Sequence, residues 1–252
     1  MIKLDKEAQV YHIFEAISGK YDMMNNLISL FLHKSWRRHL IKKLNMLKGS
    51  SVIDLCCGTG DLTLALAKEV GPYGIVYGVD FSECMLNRAR GKLVLPESAQ
   101  LKLLHGNIKS LPFSDSYFDY ATLGFGLRNV SGPIGDTLIE IQRVLKPGGK
   151  LALLETSRPS LPLPRYIHSL YMRYFVPSLG YIFVGRFKEY RWLQESTWNF
   201  PEKDELEDIF RKGGFEDITA TGFLYGVVTM YLMNKGDPLS NGKDITCNER
   251  DD

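Results

Sequence analysis

The chain is short of cysteine, of net charge and of long apolar runs, and each shortage removes a class of protein. Its 252 residues include four cysteines, Cys56, Cys57, Cys84 and Cys247. Two of these are adjacent, a spacing that rarely closes a disulfide and fits no zinc pattern. With no Cys-x-x-Cys, no His-x-x-x-His and no paired carboxylate run, no metal is expected, and a reducing cytoplasm is. Cys56 and Cys57 read as small residues at a crowded strand end. A net charge of +2 is far from the basic excess of a nucleic-acid-binding domain, so no nucleic-acid partner is expected. No uncharged apolar stretch is long enough to cross a bilayer. The opening Met1-Ile2-Lys3-Leu4-Asp5-Lys6-Glu7 has an early acid and no apolar core, which predicts neither secretory signal nor anchor.

What is present is a change of period. From 7 to 48 apolar residues recur at helical offsets (Met24, Leu27, Ile28, Phe31, then Trp36, Leu40, Ile41, Leu44), which predicts an N-terminal helical cap. After Gly49 short apolar runs alternate with helical stretches: 52–55, 61–69, 75–79, 83–93, 101–104, 118–123, a helix near 133–145 closed by Lys146-Pro147-Gly148-Gly149, and 150–154. Alternation of this kind predicts an α/β, Rossmann-like fold, a parallel sheet with helices on both faces. An insertion rich in Pro, Arg and aromatics follows over 156–200. A helix then begins at Pro201 and stops at Gly213-Gly214, and two strands, about 216–221 and 225–233, form a terminal antiparallel pair. One domain is predicted over 1–235, with a disordered tail over 236–252.

The first chemical motif, Asp54-Leu55-Cys56-Cys57-Gly58-Thr59-Gly60-Asp61-Leu62-Thr63, ends a strand and opens a helix. Gly58 and Gly60 let backbone approach a ligand beside free helix N–H groups. A dinucleotide loop has a third glycine where this chain has Thr63, so a neutral or zwitterionic ligand without a pyrophosphate fits better. Asp80, at the end of the second strand, suits paired ribose hydroxyls, although as an N-cap it would simply start the next helix. Asn107-Ile108 after the third strand could bracket an adenine, or be a turn.

These residues resemble the class I S-adenosylmethionine methyltransferases. More narrowly, Tyr21-Asp22-x-Met24-Asn25 with Ser29, His33 and Trp36 resembles the first signature of the ubiquinone/menaquinone C-methyltransferase family. Arg143 to Gly149 with Glu155-x-Ser157, Gly124-Phe125-Gly126-Leu127-Arg128-Asn129-Val130, and Tyr190-x-Trp192-Leu193-x-Glu195-Ser196-Thr197 extend the likeness over about 11–235. The resemblance implies a seven-stranded, mostly parallel sheet, S-adenosylmethionine as methyl donor, and cofactor positions at Thr59, Asp80, Asn107 and Ile108, alongside Asp54, Gly58 and Gly60 of the loop. Gly124 stands where some members place a contacting serine. Family substrates are polyprenylated quinol precursors, and the Cys56-Cys57 form of the loop resembles the menaquinone branch. Alternatives are a ubiquinone precursor, another phenolic lipid, or a non-catalytic S-adenosylmethionine-binding protein.

Only the quinol form of such a ring is electron-rich enough to attack a methyl sulfonium, so the protein must align the reactants and assist deprotonation. Arg128 could stabilise a developing naphtholate, Asn129 hold a bridging water and Tyr21 orient it. Set against these roles are an ion pair from Arg128 to an acid of the cap, a turn cap at Asn129, a core position for Tyr21 and a structural hydrogen bond at Glu155. A prenyl tail needs an apolar opening. The stretch Lys34, Arg37, Arg38, Lys42, Lys43, Lys48 and the arginines of 158–191 among aromatics suit the anionic inner face of a membrane, or are solvated helix faces. A homodimer is admitted as a partner.

Overall fold

The computed structural model describes residues 6–92 and 100–236, so Cys247 and the expected tail from 237 onward lie outside the described residues. Three helices lead, α1 (Lys6–Ile17), α2 (Tyr21–Ile28) and α3 (Leu32–Leu44). The predicted cap is therefore broken. Leu30 and Phe31 both adopt left-handed backbone, with φ of 48° and 63°, which turns the chain between α2 and α3. Asn45, with φ of 46°, ends α3 short of Lys48.

Strands and helices then alternate: β1 (Ser51–Leu55), α4 (Asp61–Val70), β2 (Ile75–Asp80), α5 (Glu83–Lys92), β3 (Gln100–His105), β4 (Phe118–Gly124), α6 (Ile134–Val144) and β5 (Leu145–Thr156). The insertion is helical, with α7 (Pro162–Leu170), a π turn (Tyr171–Phe175), α8 (Val176–Val184) and α9 (Phe187–Trp198). After α10 (Lys203–Lys212) come β6 (Phe215–Phe223) and β7 (Val228–Lys235).

The seven strands lie in the order β3-β2-β1-β4-β5-β7-β6. Pairing is parallel from β3 to β5, and β7 runs antiparallel between β5 and β6. Val52 to Leu55 are buried on both faces because helices cover both sides of a parallel sheet, which is why this stretch reads as an apolar run interrupted only by Asp54. β5 is longer than its apolar run. Phe118 pairs with Leu145 and Tyr120 with Lys150, so Lys146-Pro147-Gly148-Gly149 bulges out opposite Asp119. Lys146 holds Asp119 at 2.7 Å, and a Cβ on Gly149 would lie 2.8 Å from the Lys146 carbonyl, so only glycine fits there.

Strand order reverses between β1 and β4, and the loops leaving these two strands diverge. That divergence opens a crevice at the carboxyl ends of the strands, the place where open α/β sheets bind ligands. Helices α1 to α3 and the insertion pack over it. An apolar cluster joins Ile17 and Met24 of the cap to Met172, Val176 and Tyr190 of the insertion.

Candidate active site

The turn after β1 is built to present backbone. Cys56, Gly58 and Gly60 have φ of 52°, 56° and 78°. Around Gly58 a Cβ would meet nothing within 4 Å, so this glycine leaves a cradle rather than relieving a crowd. Asp80 anchors the loop: one carboxylate oxygen accepts from the Gly58 N–H at 2.8 Å, the other from the Ser82 N–H at 2.9 Å. Burial raises the Asp80 carboxyl above the usual carboxylate range, while these amides act to lower it. The N-cap alternative is thus half met, since Ser82 opens α5, yet the same side chain braces the glycine loop. Asp54 is buried beneath the loop, where its two oxygens accept from the Thr63 and Thr122 hydroxyls at 2.6 and 2.7 Å. Burial lifts its pKa to about 6 against those two bonds. Thr63, in place of a third glycine, is one of the two residues that satisfy Asp54.

Two hollows continue along this loop and share Cys56. One of about 50 Å³ is lined by Asp80, Phe81, Asn107, Ile108 and Asn129; one of about 20 Å³ by Tyr21, Arg37, Asp54, Gly58 and Thr59. Of the residues expected at the cofactor, Asp80, Asn107 and Ile108 line the first hollow and Asp54, Gly58 and Thr59 the second, while Gly60 lines neither. Two of them are engaged in ways the sequence did not disclose. Thr59 donates to Asp22 of α2 at 2.6 Å, and the Asn107 amide donates to Glu7 of α1 at 3.1 Å while its oxygen accepts from the Lys109 N–H. Acids of the cap bind the sheet's loops throughout. Glu7 also holds Ser131 and Lys109, which lowers its pKa, and Glu15 holds Ser82. Glu7 and Glu15 carried no motif; only their bonds to the loops after β2, β3 and β4 distinguish them.

Beside the groove lies a much larger cavity of about 500 Å³, walled by Phe14, Ile17, Ile28, Trp36, Phe125, Tyr171 and Leu193 among others. Arg128, Asn129 and Tyr21 all line it, and Asn129 also borders the hollow above Asp80. Arg128 is buried. It pairs with Glu155 at the end of β5 and donates to the Phe125 carbonyl at 2.8 Å, while its Nε has no partner. The ion pair considered for Arg128 thus exists, but to the strand acid rather than to the cap. Asn129 accepts from the Trp192 indole at 3.2 Å. Burial raises the Tyr21 hydroxyl, so it enters as a neutral donor.

Two histidines of this cavity are buried and neutral. His33 accepts from Arg37 Nη1 at Nδ1, 3.0 Å, which places its proton on Nε2, facing Asn26 Oδ1 at 3.0 Å. Burial, and then Arg37, push it down to about 4. His168, tilted against Trp198 and with no partner at Nδ1, is lowered by burial to about 4. Below about pH 6.5 the unfolded chain protonates both imidazoles while the folded protein does not; Asp54, raised from 3.8 to about 6, works the other way with one proton. Near pH 5 the two imidazoles put the unfolded state ahead in bound protons and the raised carboxyls of Asp54 and Asp80 offset part of that lead, so the stability of the cofactor-free protein falls on acidification and the histidines steepen the fall. Denaturant midpoints between pH 7 and 4.5 measure this. A flat profile, or one that His33→Gln with His168→Gln leaves equally steep, contradicts it.

The fold is that of a class I methyltransferase: a SAM-dependent methyltransferase from Thermotoga maritima superposes with a TM-score of 0.61 over 90% of this chain and 99% of its own, at 21% identity. The chain belongs to the ubiE/COQ5 methyltransferase family, whose model matches residues 2–235. Demethylmenaquinone methyltransferase of Staphylococcus epidermidis is 47% identical over 237 residues, covering 94% of this chain and 97% of the relative. The enzyme of that name from a Geobacillus species is 46% identical over 230 residues, covering 91% and 98%.

Proposed function

We propose that the protein methylates a ring carbon of demethylmenaquinol, with S-adenosylmethionine as donor. The observation that carries this reading is the position of Asn129, in the wall of both the polar groove and the apolar cavity, so that a donor in one meets an acceptor in the other. The open cradle at Gly58, the Asp80 carboxylate and the Asn107-Ile108 turn fit the donor's adenosyl half. When bound, S-adenosylmethionine supplies an electrophilic methyl group. The protein's part is to hold a quinol in the cavity and stabilise the charge its ring acquires as the hydroxyl proton leaves. Arg128, fixed by Glu155 and Phe125, supplies a positive charge that needs no rearrangement, and Asn129 with Tyr21 orients the hydroxyl or a water beside it. Labelled donor with reduced and oxidised demethylmenaquinone side by side tests this. Label is expected only in the reduced ring, and cofactor binding without transfer to either form would overturn the assignment.

The reading extends to an anionic bilayer at the cavity's mouth. Leu30, Ile167, Leu224 and Tyr225 line the cavity yet are 73%, 57%, 50% and 74% exposed, and Phe31, Leu163, Tyr166 and Ile182 stand exposed as well. Apolar exposure on this scale at an opening supports a lipid-facing entrance for a prenyl chain. The basic contribution is narrower than the sequence predicts: Arg37 turns inward, Lys48 bonds Glu69, and Arg158, Arg165, Arg186 and Arg191 pair with glutamates. Leu30→Glu with Phe31→Glu is expected to weaken sedimentation with phosphatidylglycerol vesicles by at least ~10-fold. Unchanged sedimentation would count against this surface. Domain limits at 235 and a lid role for 156–200 belong to the same proposal.

A further inference from the structure

We infer that Arg37 is the receptor for the carboxylate of the cofactor's amino-acid end, an assignment that rests on S-adenosylmethionine as donor. Arg37 lies on α3, outside every motif read as cofactor-binding, and its side chain is 15% exposed. Nη1 is doubly used, donating to Asp61 Oδ2 at 3.1 Å and to His33 Nδ1 at 3.0 Å. Nε is buried and has no partner. An orphaned guanidinium donor is costly, and a ligand that supplies the missing acceptor accounts for it.

Its position says which ligand atom that is. Arg37 lines the small hollow formed by Asp54, Gly58 and Thr59, at one end of the glycine loop. The Gly58 N–H is tied to Asp80, which lines the hollow at the other end. A cofactor with its ribose on Asp80 and its chain along the loop brings its amino-acid group to Arg37. The charge pattern suits a zwitterion: a guanidinium for the α-carboxylate and, on the floor of the same hollow, the Asp54 carboxylate for the α-ammonium. Arg37 also lines the large cavity, so its ligand end lies where cap, cofactor and acceptor meet. His33 and Asp61 act on this group from behind. They occupy Nη1 and fix the plane of the fork, leaving the Nε edge for the ligand.

The test compares two ligands that differ only in the carboxylate, S-adenosylhomocysteine and its decarboxylated analogue, by calorimetry on the full chain. Wild type is expected to prefer the carboxylate-bearing ligand by ~30-fold, the worth of one charge-assisted hydrogen bond pair. In Arg37→Gln that preference falls below ~3-fold, with affinity for the decarboxylated ligand unchanged. Equal weakening of both ligands would make Arg37 a scaffold residue and overturn the assignment, as would a preference that survives the substitution. Should Arg37→Gln fail to fold, Arg37→Lys decides: the lysine lacks Nε, so the preference drops at least ~3-fold if Nε meets the carboxylate and is unchanged if Arg37 only holds Asp61. A wild-type protein that binds neither ligand would refute the cofactor itself. One that binds both without preference refutes Arg37 alone.

Discussion

Arg128→Ala is expected to cost the fold about 3–5 kcal/mol and the reaction on the order of 10²–10³ in kcat. The two losses have different causes. Glu155 is 1% exposed and faces Arg128; it accepts further bonds from the Arg128 and Thr156 N–H groups, but these do not neutralise a buried carboxylate. Removing the guanidinium leaves that charge unpaired, and the cost appears as a lower urea midpoint. Adding Glu155→Gln removes the charge as well, so the double variant should regain most of the stability. It should not regain turnover, because the cation beside Asn129 in the cavity wall is then gone. A double variant that is both stable and fully active would show that Arg128 serves only Glu155.

The second large effect is on the donor. Asp80→Ala is expected to raise the dissociation constant of S-adenosylmethionine by at least ~100-fold, since two charge-assisted bonds to a ribose are each worth about 1.5–3 kcal/mol. Part of the loss is indirect, because the Gly58 and Ser82 amides lose their acceptor and the loop its brace. Asp80→Asn separates the parts: its carbonyl oxygen still accepts from one amide, so binding should fall by ~10-fold only. Titration calorimetry reads both, and a change under ~3-fold in Asp80→Ala would remove the residue from the site.

The alternation of strands and helices was legible in the sequence because parallel strands buried on both faces are written as short apolar runs, as at Val52–Leu55 and Ile75–Val79. The β5 bulge was not, since Lys146-Pro147-Gly148-Gly149 reads locally as a helix stop and only its pairing with β4 returns it to the strand. The break at Leu30 and Phe31 was equally hidden: neither is a residue that favours left-handed backbone, and the turn is closed by backbone bonds, from the Phe31 N–H to the Asn26 carbonyl at 2.8 Å and from the Leu30 N–H to the Leu27 carbonyl at 3.2 Å. Within the site, loop glycines and Asp80 announce themselves by position after a strand. Glu7, Glu15 and Arg37 do not, because their partners lie far away in sequence, and only the docking of the cap on the sheet brings them together.

The place of β7 sets an order of events during synthesis. It lies between β5 and β6 and buries Val228, Met230, Tyr231 and Met233, yet it is the last strand of the sheet to be made. A nascent chain emerged only as far as Phe223 already holds the loops after β1, β2 and β4 that form the site, but β5 ends in a bare edge and β6 has no neighbour to pair with. Until the final strand slides in antiparallel and closes both gaps, that edge is open to pairing with another chain. Truncation or delay at this point therefore endangers the solubility of a molecule whose chemical machinery is already encoded and exposed upstream.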